Sequence, residues 1–405
     1  MLLNQERLHA VMADNGLDAI IATSPENVTY LSGYWALSQW IRRGPQTYVV
    51  WPAPGLGEPT IIASSSLLDL LVDQDVSVGK VETFGRFVVR QCRDAALTDS
   101  EQRQLGLAQQ PAHDTARQAL QNVLRGIGRN TGRIALDEVG LPPSLNAFDI
   151  GVAEDFEVVP GFEHLREVRA VKTEEEISRL AHVASAAEKS IEAALDIARP
   201  GLTEADLGRA FNLETIRHDA VPVLYCIGSG RRSAMPNVQP SDRKLRRGDI
   251  IRFDVGGRYR HYRADIARIA FLGTPSQKVA QYHHALWQGV QRGLELIKPG
   301  ARACDIFQEM VEAVRRNGIR HYDRSHVGHG IGLDGYDLPN LTAESGDVLE
   351  AGMVLCVETP YYEVGFGGLQ VEDMVVVREH GVQSLMRTSG KLIEIHNGGE
   401  TNEFL

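Results

Sequence analysis

The first half of the chain alternates short apolar runs with amphipathic stretches, the layout of an α/β domain. Helical spacing over Gln5–Asn15 leads into an apolar strand at Asp18–Ala22, and a second helix over Glu26–Leu31 is stopped by Gly33. Further strands are predicted at Thr47–Trp51, Thr60–Ala63, Arg133–Leu136 and Phe156–Val159. The polar, glutamine-rich segment Gln91–His113 shows no apolar period and is predicted to be a long surface loop. Tyr34, Trp35 and Trp40 follow the first helices as an aromatic cluster. It is expected to be exposed and to serve a subunit contact, unless this domain's own core takes it up.

The pattern changes near Glu167–Thr173. Thr173-Glu174-Glu175-Glu176 is a capping box, and it opens a long amphipathic helix running to about Ala198. From there the chain repeats itself. Ile197-Ala198-Arg199-Pro200-Gly201, then Asp206-Leu207, is echoed by Ile297-Lys298-Pro299-Gly300, then Asp305-Ile306, at an offset of 99 residues. Each unit continues into β-rich sequence carrying two acids. Asp254 and Asp265 flank a hairpin signal at Gly256-Gly257, and Glu358 and Glu372 flank Gly365–Gly368. A Pro-Gly helix stop alone is common. Its coincidence with acid pairs offset by 104 and 107 residues points to two related halves. An antiparallel hairpin can set both members of a pair opposite one another on one face. The reading is an α/β (α+β) protein of two domains, the first over 1–165 and a duplicated catalytic domain over 170–390.

Composition changes this picture little. A chain of 405 residues with 43% hydrophobic and 23% charged residues is an ordinary globular protein of two domains. A net charge of −11 argues against nucleic acid as the main partner, because phosphate binding needs a basic face. No apolar run approaches the roughly 20 residues that span a bilayer, and Met1–Gly16 has no signal-peptide pattern. Cys92, Cys226, Cys304 and Cys356 are scattered, without a CxxC, and read as free thiols of a reducing compartment. The chain is expected to be cytoplasmic, with no membrane partner. The first half has no P-loop, GxGxxG or nucleophile elbow.

The chemistry lies in the second half. Asp254, Asp265, His329, Glu358 and Glu372 sit in Phe253-Asp254-Val255-Gly256-Gly257, Ala264-Asp265-Ile266, Gly328-His329-Gly330-Ile331-Gly332, Val357-Glu358-Thr359-Pro360 and Val371-Glu372-Asp373. Burying unpaired carboxylates costs several kcal/mol each, so clustered acids in apolar runs imply cations. Carboxylates bridge two cations, and one imidazole completes a shell suited to hard or borderline ions. Such a pair activates water for attack on a carbonyl or phosphoryl centre. The glycines around His329 permit the close backbone approach that a ligand-bearing loop requires. The chain reads as a metallohydrolase with two divalent ions. An oxygen-rich shell with one imidazole admits Mn, Co, Zn or Fe, and Mn is favoured.

These residues and contexts resemble the superfamily of methionine aminopeptidase, aminopeptidase P, prolidase and creatinase, the pita-bread fold, and within it the Xaa-Pro dipeptidases. The resemblance extends to the first domain, where Asn27-Val28-Thr29-Tyr30-Leu31-Ser32-Gly33 is a typical opening of the creatinase/prolidase N-terminal domain. It implies that Asp254 chelates one metal only, that Asp265 and Glu372 bridge both, and that His329 and Glu358 complete the second. It makes Glu358 the proton shuttle and His326 a residue of the substrate pocket. The implied substrate is a short Xaa-Pro peptide, and the implied assembly is a homodimer.

The chain departs from the family at three places. Ser233-Ala234-Met235-Pro236-Asn237 stands where a histidine is usual, Tyr336 replaces a histidine seven residues past the ligand, and Gln370 replaces an arginine two residues before the last glutamate. A tyrosine hydroxyl can still donate to an oxyanion and an asparagine amide can still position a carbonyl. Tyr336 and Asn237 are therefore candidates, with His326, for binding substrate; packing against the pocket wall is the other role open to Tyr336. The departures keep open a same-fold enzyme acting on another small carboxylate, a creatinase-like C–N hydrolase or a lyase of the dimethylsulfoniopropionate type. A non-catalytic scaffold would show lost ligands, and none is lost.

Overall fold

The computed structural model describes residues 2–40, 46–128, 131–142, 145–147, 149–152 and 156–396. The chain divides into two compact units, Met1–Arg169 and Ala170–Leu405. Helices and strands are mixed in both, as the α/β pattern predicts.

The first unit contains α1 (Gln5–Asp14), β1 (Ala19–Ala22), α2 (Pro25–Ser32), α3 (Leu37–Trp40), β2 (Tyr48–Pro52), β3 (Thr60–Ser64), α4 (Leu68–Asp73), β4 (Lys80–Phe84), α5 (Asp99–Ala108), α6 (Ala116–Arg125), β5 (Gly132–Leu136), β6 (Phe156–Pro160) and α7 (Phe162–Ala170). Its strands form one sheet in the order β4-β3-β2-β1-β5-β6. Gly33 ends α2 in the left-handed region at φ 75°, which a side chain would resist. The opening motif is structural. Asp137 accepts hydrogen bonds from the Thr23 and Ser24 amides and from the Ser24 and Asn27 side chains, and Asn27 in turn accepts from buried Arg169.

Two expectations fail here. The segment Gln91–His113 is not one loop, because α5 occupies Asp99–Ala108 behind a Thr98/Glu101 capping box. Its residues are mostly exposed, so the helix rests on local capping and lacks the buried stripe that periodicity detects. The aromatic cluster is not exposed either. Tyr34 is fully buried, Trp35 and Trp40 are half-buried and lie 6.4 Å apart, and the Trp35 backbone is held by Gln74.

The second unit contains α8 (Glu174–Ile197), α9 (Glu204–Arg217), β7 (Val221–Ser229), β8 (Ile250–Tyr259), β9 (Tyr262–Arg263), β10 (Ile266–Leu272), α10 (Gln277–Leu296), α11 (Ala303–Arg316), β11 (His326–Gly330), β12 (Asp337–Thr342), β13 (Val354–Glu358), β14 (Tyr361–Glu363), β15 (Gly367–Leu369), β16 (Glu372–Arg378), β17 (Gly381–Ser384) and β18 (Ile393–Ile395). One large sheet runs β12-β11-β13-β16-β10-β8-β7, with β14 and β15 forming a separate ribbon. Apolar faces of α10 and α11 pack with β11, β13 and β16 into a buried core that includes Leu286, Val290, Met310, Val314, Leu355 and Val375. The Thr173/Glu176 capping box opens α8 as predicted. Among the described residues, no helix is long and apolar enough to cross a membrane.

The echo in the sequence is an echo in structure. Helices α8 and α10 end alike, at Ala198 (φ −66°, ψ 116°) and Ile297 (φ −68°, ψ 115°). The Gly201 amide then donates to Leu245 O at 2.9 Å, and the Gly300 amide to Leu349 O at 2.8 Å. The first hairpin signal is misplaced, however. Strand β8 runs straight through Gly256 and Gly257, and the turn is Arg260-His261 at φ 43° and 77°, between Tyr259 and its partner Tyr262. Two successive left-handed residues are what a two-residue hairpin of right-handed twist demands.

Candidate active site

Five neighbouring strands or strand ends each bring one candidate ligand. Asp254 lies on β8, Asp265 immediately before β10, Glu372 at the start of β16, Glu358 at the end of β13 and His329 on β11. Across the sheet, Asp254 faces Ala267, Ala267 faces Glu372, and Glu372 faces Glu358. The side-chain period of two then fixes the remainder. His329 faces Cys356, two residues from Glu358, and Asp265 lies two residues from Ala267, so both point to the same face. The predicted hairpin geometry holds for Glu358 and Glu372. Asp254 and Asp265 are instead diagonal, because the register sets Ala267 opposite Asp254. Burial is also uneven: Glu358, Glu372 and His329 are buried, while Asp254 and Asp265 are half-buried.

The glycines beside His329 make room for this row. A Cβ on Gly328, at φ +152°, would lie 2.3 Å from the Cys356 carbonyl oxygen, and one on Gly330 would lie 2.1 Å from that of Leu338. Strand β11 therefore fits between β12 and β13 only with glycine at both positions.

The electrostatics call for cations. Carboxylate oxygens of Asp254, Asp265 and Glu372 lie within 4.8 Å of one another, as do ligand atoms of His329, Cys356 and Glu372. Asp265 Oδ1 and Glu372 Oε1 are buried and have no hydrogen-bond partner among the described residues. Burial first, and then the neighbouring carboxylates, push Asp265 and Glu372 well above the usual carboxylate range. Asp254 is raised to about 6 by burial, with the Arg252 guanidinium pulling the other way. Burial acts on Glu358 too, but its hydrogen bond from His326 and the field of the Arg324 guanidinium work against it, and Glu358 stays low. So many carboxylates on one buried face stay ionised together only around positive charge.

The imidazole is prepared for a metal. His329 Nδ1 is 3.0 Å from the Gly330 carbonyl oxygen, which assigns the proton to Nδ1 and leaves Nε2 a free lone pair. Nε2 lies 4.0 Å from Asp265 Oδ2. Burial lowers the His329 pKa and keeps the ring neutral, as a ligand must be. The donor set of carboxylates with one imidazole thus fits hard or borderline divalent ions.

A cavity of about 230 Å³ opens over this face. Besides the four acids it is lined by Pro236, Asn237, Arg324, His326, Tyr336, Tyr362 and Gln370. His326 Nε2 lies 2.9 Å from Glu358 Oε1. The Tyr336 ring lies over His329 at 4.1 Å and is 58% exposed, and burial with the nearby carboxylates raises its pKa, so the hydroxyl keeps its proton. Three residues of the site, Arg252, Arg324 and Tyr362, were missed in our reading of the sequence. Arg252 is fully buried beside Asp254, and its place in the apolar run Ile250–Val255 was the readable clue, since a buried guanidinium must be paired. Arg324 and Tyr362 arrive from loop and ribbon positions that have no period to read.

Fold, ligand row and cavity together define a metal-dependent hydrolase of the pita-bread type, and comparison with known proteins agrees. Residues 178–379 match metallopeptidase family M24, and residues 5–171 match the creatinase/prolidase N-terminal domain. The chain belongs to the M24 metallopeptidases, a family that implies divalent metal ions. It is 29% identical over 231 residues to the Xaa-Pro dipeptidase of Pyrococcus furiosus, an alignment spanning 56% of this chain and 66%, just under two thirds, of that relative. It is also 29% identical over 244 residues to the uncharacterized peptidase YqhT of Bacillus subtilis, spanning 60% and 69%. Among solved structures, dipeptidase PepE from Mycobacterium ulcerans superposes with a TM-score of 0.76 at 27% identity, covering 96% of this chain and 97% of that one. The Xaa-Pro dipeptidase from Bacillus anthracis superposes with a TM-score of 0.78, covering 96% and 98%, and at 23% identity it shows the fold alone.

Proposed function

We propose that the chain is a prolidase-like peptidase that cleaves Xaa-Pro dipeptides with two divalent ions, Mn preferred over Co, Zn or Fe, held by Asp254, Asp265, His329, Glu358 and Glu372. The observation that carries the reading is the small cavity, which joins the acid-rich face to Arg324, whose guanidinium lies 5.8 Å from the Tyr362 ring and has no ion pair among the described residues. Arg324 Nε is buried and has no hydrogen-bond partner among them. A guanidinium in that state suits bidentate capture of a substrate carboxylate. A free carboxylate next to the scissile bond is the mark of a dipeptide. That the Pyrococcus furiosus relative is an Xaa-Pro dipeptidase supports the same choice.

Bound divalent ions would supply Lewis acidity and lower the pKa of a coordinated water. The chain's own groups do the remainder. Glu358 Oε1, held by His326, takes a proton and returns it to the leaving nitrogen. Tyr336 donates its hydroxyl to the developing oxyanion, and Asn237 orients the peptide carbonyl. A second reading, a same-fold enzyme on another small carboxylate, draws on Tyr336, Asn237 and Gln370 at positions where family peptidases usually carry histidine, histidine and arginine. A homodimer and a cytoplasmic site of action belong to the proposal as well. The buried free thiols of Cys226, Cys304 and Cys356 support the latter.

The test is release of the free N-terminal residue from Xaa-Pro dipeptides, their C-terminal amides and Xaa-Pro tripeptides, each with Mn or Co supplied. Dipeptides are expected to turn over at least about tenfold faster, the weight of one charge-assisted contact. Arg324→Met should raise KM for the dipeptide and leave the amide unchanged. No cleavage of the Xaa–Pro bond in any of these substrates would end the peptidase reading in favour of the second one. Light scattering at micromolar protein checks the dimer, and a monomer would reject it.

A further inference from the structure

Arg252 is a fully buried guanidinium beside the ligand row, and every one of its N–H groups is engaged. Nε donates to Ser233 O at 3.0 Å. Nη1 donates to Asp254 Oδ2 at 2.8 Å and to Gln370 Oε1 at 2.9 Å. Nη2 donates to Met235 O and Pro236 O, both at 2.7 Å. The contacts divide into two groups. One grips three carbonyls, those of Ser233, Met235 and Pro236, in the loop that carries Pro236 and Asn237 to the cavity. The other grips a candidate ligand and an amide.

The amide completes the device. Because Gln370 Oε1 accepts from Arg252, and from the Tyr362 hydroxyl at 3.1 Å, the orientation of its side-chain amide is fixed. Its Nε2 must then face the acids, and it donates to Glu358 Oε2 and Glu372 Oε2 at 3.2 Å each. Glu372 Oε1 is left buried and without a partner, pointing to where a cation is needed. Arg252 therefore reaches Asp254 directly and Glu358 and Glu372 through one intervening amide.

From this geometry we infer that Arg252 and Gln370 form a positioning pair that sets the rotamers of Asp254, Glu358 and Glu372 for metal binding and ties the metal centre to the Ser233–Asn237 loop. Lysine cannot take the place of Arg252, since a point charge with three donors cannot serve five acceptors held in a planar fork. Partners that orient ligands in this way typically contribute about 10- to 100-fold in metal affinity. The inference rests on the metal-ligand reading of the acids and is independent of the peptide substrate.

The experiment is Mn²⁺ titration of the apo full-length protein by calorimetry, with apo thermal denaturation alongside, for wild type, Gln370→Met and Arg252→Lys. Gln370→Met keeps the length and volume of the side chain and removes both the donor and the acceptor. It orphans one Arg252 N–H and the Tyr362 hydroxyl, so the apo melting temperature should fall modestly, and it is expected to weaken Mn²⁺ binding about 10- to 100-fold. Arg252→Lys should weaken Mn²⁺ binding to a similar degree. On any substrate the enzyme cleaves, it should also raise KM more than Gln370→Met does, because only Arg252 holds the loop. A purely structural role would lower the apo melting temperature without changing metal affinity. Mn²⁺ affinity of folded Gln370→Met within twofold of wild type would overturn the inference, even if Arg252→Lys fails to fold. Wild type that binds no Mn²⁺, Co²⁺ or Zn²⁺ would instead overturn the ligand reading itself.

Discussion

Gly256→Ala tests whether the register of β8 against β10 is what places Asp265. Counting along the β8–β10 ladder sets Gly256 across from Asp265, and a Cβ at Gly256 would lie 1.7 Å from the Ala264 carbonyl oxygen and 2.6 Å from its carbon. Restoring an ordinary 3.4 Å contact requires a displacement of about 1.7 Å. The obstacle is backbone, so no side-chain rotation relieves it. The residue that follows Ala264 is Asp265, and it must travel with the shifted carbonyl. Overpacking of this kind costs about 1–3 kcal/mol of stability, which a domain of this size tolerates. The functional loss is larger, because a misplacement of about 1 Å in a reacting constellation costs on the order of 100-fold. The variant is expected to remain folded by thermal denaturation, to bind Mn²⁺ at least about tenfold more weakly and to lose at least about 100-fold in kcat/KM. Gly346→Ala is the control, since nothing lies within 4 Å of a Cβ there. A folded Gly256→Ala protein with wild-type metal affinity and turnover would refute the reasoning, for Asp265 would then owe its position to something other than the close strand approach.

Other outcomes follow from single side chains. Tyr336→Phe removes the hydroxyl and keeps the ring over His329, so kcat on the best substrate should fall about 10- to 1,000-fold with little change in KM; an unchanged kcat would leave Tyr336 only its packing role. Glu176, buried and bonded to the Thr173 amide and the Tyr262 hydroxyl, has its pKa raised to about 7, chiefly by burial. The folded state holds this proton where the unfolded chain has lost it, so the contribution to stability is full below the ordinary glutamate value of 4.5 and is lost as pH rises through about 7. Glu176→Gln should therefore flatten the decline in denaturant stability between pH 5 and 8 by up to about 3 kcal/mol, and equal slopes in both proteins would contradict the shift.

How much of this was legible without the fold differs from element to element. The ligand set was readable because each acid and the histidine sit in apolar or glycine-rich runs where an unpaired charge would be too costly, and because their order repeats with the Pro-Gly echo. Helix α8 was readable from Thr173 and Glu176, since a capping box is local chemistry. Helix α5 carries the same kind of box at Thr98 and Glu101, but its mostly polar surface leaves no apolar period to support it, so the segment read as loop. The Gly256-Gly257 pair read as a turn, although Gly256 serves close strand approach, Gly257 faces the side chains of Thr215 and Val183 on the helices, and the turn fell to Arg260 and His261, which no glycine announces.

Only the tertiary structure could decide what lies between the ligands. Sequence showed Gln370 where related peptidases carry an arginine, and that looked like a loss. The sheet brings Arg252, more than a hundred residues earlier, against that glutamine. Likewise Arg324 and Tyr362 reach the cavity from segments whose local pattern says nothing of it. The reason is physical. Periodicity and local cost report which face of its own element a residue occupies, and they identify groups that need a partner. Which partner meets which group is fixed by strand order and register, contacts of long sequence separation that no local stretch encodes.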